Sequence, residues 1–317
     1  MVDKNLFLYD LAIVAIMKGE EHYVKEWIDY HLLAGADHFY IYDNDSTPDF
    51  KKILQPYIDS NIVTYIHYPG KSRQYEAYND AFKKFRLQCR YMAWIDGDEF
   101  IFPKSKPAIA EVVDEVFENN PNFGGLTGNL IAFGSNGHEK ADYTRGVLER
   151  FTARNKNVDH HVSTIANPRK IDFFLNPHYA IYFTGCYAVN ENRGVVFGPF
   201  NEERTANKIE MHHHHQKSRE EYIKKIERGT ADGTQSRTIQ NFIDWDKNDN
   251  EIQEENILKY RDARRDALIG KGGVLKHYLH VNKLIFRDFS TRLHKIWLRR
   301  LSEVRREIFT QARLIIF

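Results

Sequence analysis

Four strand-length apolar runs, spaced by helical periods and short turns, fill the first hundred residues and constrain the fold more than any other feature. The runs are residues 8–17 (LYDLAIVAIM), 39–42 (FYIY), 62–67 (IVTYIH) and 91–95 (YMAWI). Between the first two, Val24, Trp27, Ile28, His31 and Leu32 recur at roughly helical spacing over 21–34 and stop at Gly35. Helical patterns also cover 49–58 and 74–86. This β-α-β-α-β-α-β order with short connections predicts an α/β domain, a mostly parallel sheet with helices on both faces. Such sheets bind ligands beyond the carboxyl ends of their strands. Lys18–Glu21, Asp43–Ser46, Gly70–Gln74 and Asp96–Glu99 all fall at such ends.

The pattern changes after Pro103. Residues 107–118 read as a helix, and the glycine-rich 124–137 as an edge strand and loop. Residues 147–200 alternate short strand-like runs with turns at Asn167-Pro168 and Asn176-Pro177. A helix is predicted over 217–228, opened by Ser218 with Glu221 three positions on, a capping box. The polar 230–250 reads as loop, and the chain from 251 onward as mostly helical. A length of 317 residues with 42% hydrophobic content suits one large domain, alone or with a smaller appendage. A net charge of +1 gives no pull toward nucleic acid, and none is expected as a partner. Cys89 and Cys186 lie far apart and read as reduced thiols. No signal-peptide pattern opens the chain, and Leu11–Met17 is too short to span a bilayer. The expected location is the cytoplasm, including the cytoplasmic face of a membrane.

The chemistry concentrates where the fourth strand stops. Asp96 and Asp98 sit two apart, so both can point the same way at the strand end. Adjacent carboxylates there repel each other unless a cation lies between them. Their oxygen ligands suit Mg²⁺ or Mn²⁺, which keep sites for water and substrate phosphates. Asp43-Asn44-Asp45 and Asp244-Trp245-Asp246 share the D-x-D spacing, but only the triplet at 96 follows a hydrophobic strand. In His212–His215, strand alternation puts His213 and His215 on one side and His212 and His214 on the other, so one pair can reach a metal. Lys217, before the capped helix, can hold phosphate. Lys71-Ser72-Arg73-Gln74 leads into a helix, where Arg73 and the helix N-terminus meet a diphosphate or merely cap and solvate the helix. Asp43 can bond a ribose or base, or serve as a simple turn residue.

Several of these segments, in register over residues 10–232, make the chain resemble the GT-A-type glycosyltransferases of family 92 and related family 2-like enzymes. They are EEHYVKEWIDYH (20–31), GADHFYIYDNDS (35–46), Gln74–Ala81, WIDGDEFIF (94–102), FGSNG (133–137), ERFTAR (149–154) and His213–Phe242, which opens with HHHQKSREEYIKKIERGTAD. The last is similar to the family's H-Y-x-x-K-S-x-E-E-F-x-x-K-x-x-x-G, with His214 in place of the usual tyrosine. The resemblance implies a GT-A (Rossmann-like) domain over 1–232, with a donor half over 1–105 and an acceptor half over 106–232, followed by a helical extension over 233–317. It implies a divalent cation (Mn²⁺ or Mg²⁺) and a UDP-hexose donor. The reaction implied is inverting transfer of a hexose, often galactose, to a glycan hydroxyl. Carried over by position, Asp96, Asp98 and His213 would hold the metal. Asp43 would meet the nucleoside, Arg73 and Gln74 would lie along the donor, and Lys217 would lie near the diphosphate. Glu149, Asp232 and Glu99 are the candidates for the general base, Glu149 first.

Residues 283–317 place Leu284, Phe289, Leu293, Trp297, Leu301, Val304 and Ile308 at helical spacing among many arginines. A basic amphipathic helix of this kind suits an anionic membrane surface, where a lipid-linked glycan acceptor would be met, or packing on the domain or a second subunit. Two other functions compete. A nucleotidyltransferase would favour a glycine- and lysine-rich phosphate loop after the first strand, where Lys18-Gly19-Glu20-Glu21 stands instead. A non-catalytic glycan-binding protein on this fold would be expected to lack the metal acids, which are intact.

Overall fold

A computed structural model describes residues 6–229 and 237–270. The chain alternates strand and helix through its first half: β1 (Tyr9–Met17), α1 (Val24–Leu33), β2 (His38–Asp43), α2 (Pro48–Asp59), β3 (Val63–His67), α3 (Gln74–Phe85) and β4 (Cys89–Trp94). Then come β5 (Glu99–Pro103), α4 (Ile109–Phe117), β6 (Phe123–Ala132), α5 (Val147–Arg150), β7 (Ala153–Arg154), β8 (Val162–Ala166), β9 (Ile171–Asn176) and β10 (Tyr179–Tyr182). The remainder is β11 (Tyr187–Val189), β12 (Val195–Val196), β13 (Ile209–His213), α6 (Arg219–Arg228), α7 (Ile239–Asp246), β14 (Ile252–Gln253) and α8 (Asn256–Gly270).

The main sheet runs β12-β11-β6-β8-β4-β1-β2-β3, with β4, β1, β2 and β3 parallel and β8 antiparallel to both its neighbours. Residues of β1 and β4 are buried nearly throughout, as a strand covered on both faces requires. One face packs on α1, α2 and α4, the other on α3 and the β9–β10 hairpin. At the side, β13 pairs antiparallel with β5 and parallel with β6.

Helix α1 fixes β5 through its buried polar groups. Trp27 Nε1 donates to Glu99 O at 2.7 Å and Tyr30 Oη to Ile101 O at 2.9 Å. His31 Nδ1 donates to Trp27 O while its Nε2 accepts from Ile101 N at 3.2 Å, which requires a neutral ring. Burial supplies that by bringing the His31 imidazole down to about 3.

Two sequence expectations need correction. The glycine-rich 124–137 holds no edge strand: β6 lies inside the sheet between β11 and β8. Its glycines are seats for other elements, since a Cβ at Gly125 would lie 2.0 Å from Tyr182 Oη and one at Gly128 2.7 Å from Met211 Cε. The polar 230–250 is not all loop, because Thr238 and Asn241 form a capping box that starts α7. The capping box predicted at Ser218 and Glu221 is present. Asn167 caps the short turn after β8, and Asn176-Pro177 joins β9 to β10.

Candidate active site

A cleft of about 1070 Å³ opens beyond the carboxyl ends of β1, β2 and β4. Its acidic floor follows directly from β4. Asp96 Oδ1 accepts from Gln74 Nε2 at 2.8 Å, so the first residue of α3 reaches the acid two residues past β4. Burial and the neighbouring Asp98 charge push the Asp96 carboxyl up. Asp98 Oδ2 lies 2.5 Å from Lys225 Nζ, and its Oδ1 lies 3.6 Å from His213 Nε2. Against the penalty of burial, Lys225 and His213 hold Asp98 well below the usual carboxylate range. Burial brings Lys225 down to about 8, so it stays a cation at neutral pH.

Strand pairing puts His213 opposite Glu99 on β5 and Ala132 on β6, beside Asp98. Alternation then divides the four histidines. His212 and His214 are buried against Phe133, with ring centroids 4.6 and 4.5 Å away, and Phe102 and Phe100 close the other side. His213 and His215 face the cleft with their rings 4.9 Å apart. His215 Nε2 lies 3.7 Å from Asp249 Oδ2, and its ring stands 5.3 Å from that of Trp245. Asp249 also accepts from Asn155 Nδ2 and Gln216 Nε2, both at 2.9 Å, and burial pushes its carboxyl up to about 6.

The cleft thus gathers Gln74, Asp96, Asp98 and His213 from the sequence-predicted set, and leaves others aside. Asp43 is buried beside it, accepting from Tyr65 Oη at 2.6 Å and Ser46 N at 2.9 Å, while Asn44 takes the place on the cleft wall. Arg73 pairs with Glu76 and lies 4.8 Å over the Tyr68 ring. Lys217, at a left-handed φ of 59°, turns to Glu20 (3.4 Å) and the Tyr23 ring (3.9 Å). Glu149 stands outside the cleft, paired with Arg261 at 3.2 Å. Glu99 is buried behind the acids, accepting from Ser163 Oγ at 2.8 Å, and burial together with Asp96 pushes it up to about 8. Asp232 and 283–317 lie outside the described residues. Among those described, no helix is long and apolar enough to cross a membrane.

Sequence reasoning passed over Lys225, Arg228, Trp245 and Asp249, all on the cleft wall. Lys225 had a signal, because it is the second lysine of the pattern quoted for 213–229. Arg228 reaches back to Glu20 Oε1 at 2.6 Å and to the Lys18 carbonyl. Two matched motifs turn out to be supports for this wall. In FGSNG, Gly134 N donates to Asp249 O, Ser135 binds Asp246, and Asn136 N donates to Asn250 Oδ1, clamping the segment that carries Trp245 and Asp249. In ERFTAR, Arg150 is fully buried in a bidentate pair with Glu221 of α6, the helix that carries Lys225 and Arg228.

Two carboxylates and one imidazole, donors of the kind that suit a divalent cation, line one cleft, and burial together with the neighbouring Asp98 charge pushes Asp96 up, a load that a bound cation would relieve.

The sequence model of glycosyltransferase family 92 matches residues 14–268, and the chain belongs to that family. The sheet and its flanking helices are of the GT-A type. A glycosyltransferase family 92 protein of Ricinus communis is 23% identical over 191 residues, covering 59% of this chain and 34% of the relative. One from Oryza sativa subsp. japonica is 24% identical over 194 residues, covering 59% and 32%. Galactan beta-1,4-galactosyltransferase GALS2 of Arabidopsis thaliana is 28% identical over 101 residues, covering 28% of this chain and 19% of the relative. The chain therefore spans well under half the length of these curated relatives. Among solved structures, S. aureus TarS 1-349 overlaps 83% of this chain and 74% of its own, with 13% identity and a TM-score of 0.34.

Proposed function

We propose that this family 92 member is an inverting hexosyltransferase that moves galactose from a UDP-sugar to a hydroxyl of a glycan acceptor. The observation that carries the reading is the meeting, in one cleft at the strand ends, of Asp96, Asp98 and His213 with the cations of α6. The choice of galactose leans on the activity for which the galactan galactosyltransferase relative is named.

A divalent cation, Mn²⁺ or Mg²⁺, held by Asp96, Asp98 and His213, would neutralise charge on the leaving nucleoside diphosphate. Gln74 orients Asp96 for that task. Lys225 and Arg228 take the electrostatic role expected of Lys217, since they line the cleft and Lys217 does not. Asn44, Lys71 and Trp245 also line the cleft, and Trp245, beside His215, offers an aromatic face to a sugar.

Asp249 is the proposed general base. It lines the cleft, and a carboxyl near 6 is ionised at neutral pH yet basic enough to take a proton from an acceptor hydroxyl. The attacking oxygen forms the bond to the anomeric carbon as the bond to the diphosphate oxygen breaks, and the proton passes to Asp249.

A panel of nucleotide-sugars with Mn²⁺, assayed for transfer and for donor hydrolysis, tests the reading: UDP-galactose is the expected substrate. Asp249→Asn should lower kcat about 10²–10⁴-fold and leave the thermal shift with UDP unchanged. Full turnover in that variant would remove Asp249 from the role, and turnover of no UDP-hexose would sink the donor assignment.

A further inference from the structure

Away from the Asp96–Asp98 pair, another stretch of the cleft wall collects metal-binding side chains. Asp159, His160 and His161 each offer a ligand atom, and these atoms all lie within 4.8 Å of one another. The stretch is held rigidly. Asp159 N donates to Leu130 O at 2.9 Å. Buried Asn129 spans both carbonyls from below, its Nδ2 donating to Asp159 O at 2.9 Å and His160 O at 3.3 Å. Buried Asn201 ties in from the next loop through His160 O and Asn129 Oδ1. Both imidazoles pack on Phe200, with centroids 4.6 and 4.8 Å away.

His160 is oriented as a ligand, and Asp159 and His161 are held against each other beside it. His160 Nδ1 lies 3.3 Å from Glu202 Oε1, while its Nε2 lies on the Asp159 side, 4.0 Å from Oδ1. A carboxylate on one ring nitrogen fixes the tautomer and leaves the other nitrogen a lone pair for a cation, the arrangement common behind metal-bound histidines. Asp159 Oδ1 accepts from His161 N at 2.9 Å and lies 2.9 Å from His161 Nδ1, which keeps the carboxylate ionised. All three side chains are between a third and a half exposed, open to a cation from solution.

We propose that Asp159, His160 and His161 form a site for a borderline divalent cation of the Zn²⁺ type, with its remaining coordination open to the cleft. Two imidazoles and one carboxylate favour such an ion over Mg²⁺ or Mn²⁺, and three protein ligands leave a position for a water or an acceptor oxygen. The site shares no residue with the first acid pair: Asp159 is fastened at Leu130, two residues before the Ala132 that pairs with His213 on β6. The inference stands independently of the transferase reading.

The test uses the full chain without a polyhistidine tag, titrated with Zn²⁺ by calorimetry and with Co²⁺ by visible absorption. Wild type is expected to bind Zn²⁺ at least tenfold more tightly than His160→Ala/His161→Ala, and Asp98→Asn to retain that binding. Glu202→Gln alters only an exposed side chain, so folding is not at risk, and it should weaken Zn²⁺ about tenfold. Equal Zn²⁺ affinity in wild type and the double histidine variant would overturn the proposal. So would loss of binding in Asp98→Asn alone, or unchanged affinity in Glu202→Gln.

Discussion

Replacing Arg150 with methionine removes the one guanidinium that serves Glu221. The pair is bidentate, with both contacts at 2.9 Å and side-chain exposures of 1% and 2%. Glu221 keeps three other donors, Tyr23 Oη at 2.7 Å, Ser218 N at 3.0 Å and Ser218 Oγ. Although burial works against it, Arg150, Ser218 and Tyr23 together bring Glu221 from 4.5 down to about 2. At about 1.4 kcal/mol per pH unit, the paired carboxylate contributes about 3 kcal/mol of stability. Ser218 and Tyr23 keep their share of this when Arg150 is gone, while removing one partner of a buried ion pair costs about 3–5 kcal/mol in general, so about 3 kcal/mol is expected for Arg150→Met. For a chain of this length that corresponds to a drop in melting temperature of about 5 °C at pH 7.

The sign with pH follows from a folded value below the unfolded one. The contribution is complete above about 4.5 and is lost as pH falls toward about 2. The gap between wild type and Arg150→Met should therefore shrink to less than half between pH 7 and pH 3. Thermal unfolding at the two pH values measures it. Arg150→Met/Glu221→Gln should recover part of the loss, since it leaves no unpaired charge. A gap below about 1 kcal/mol at pH 7, or one equal at both pH values, would refute the reasoning.

Two further outcomes are expected. Lys225→Ala takes away the cation 2.5 Å from Asp98 and should weaken UDP binding in the presence of Mn²⁺ about tenfold by calorimetry, whereas wild-type affinity would remove Lys225 from the donor site. Gly125→Ala puts a Cβ 2.0 Å from Tyr182 Oη and should destabilise by about 1–3 kcal/mol in thermal unfolding. Tyr182→Phe in the same chain should relieve part of that strain, and no relief would show that the hydroxyl is not the obstacle.

The strand ends were legible because burial and polarity switch abruptly there, and Ile95-Asp96 is the sharpest such switch. Histidine alternation in 212–215 was legible because a strand has only two faces. Glycines of β6 misled because their reason is tertiary: Tyr182 and Met211 fill the space that side chains would take. Lys217 drew attention as the residue beside the helix cap, yet its left-handed backbone turns it to Glu20 and Tyr23, and the lysine two turns further along α6 reaches Asp98. Asp249 carried no local signal at all. Its place on the cleft wall depends on Gly134, Asn155 and Gln216, more than thirty residues away in each case.

That separation has a consequence for how the molecule is made. Lys225 and Asp98 are 127 positions apart, Lys217 and Glu20 197. A ribosome releases the acids long before it releases their counter-charges. Until that later stretch of chain emerges, Asp98 and Glu20 lack the cations that clasp them in the finished fold.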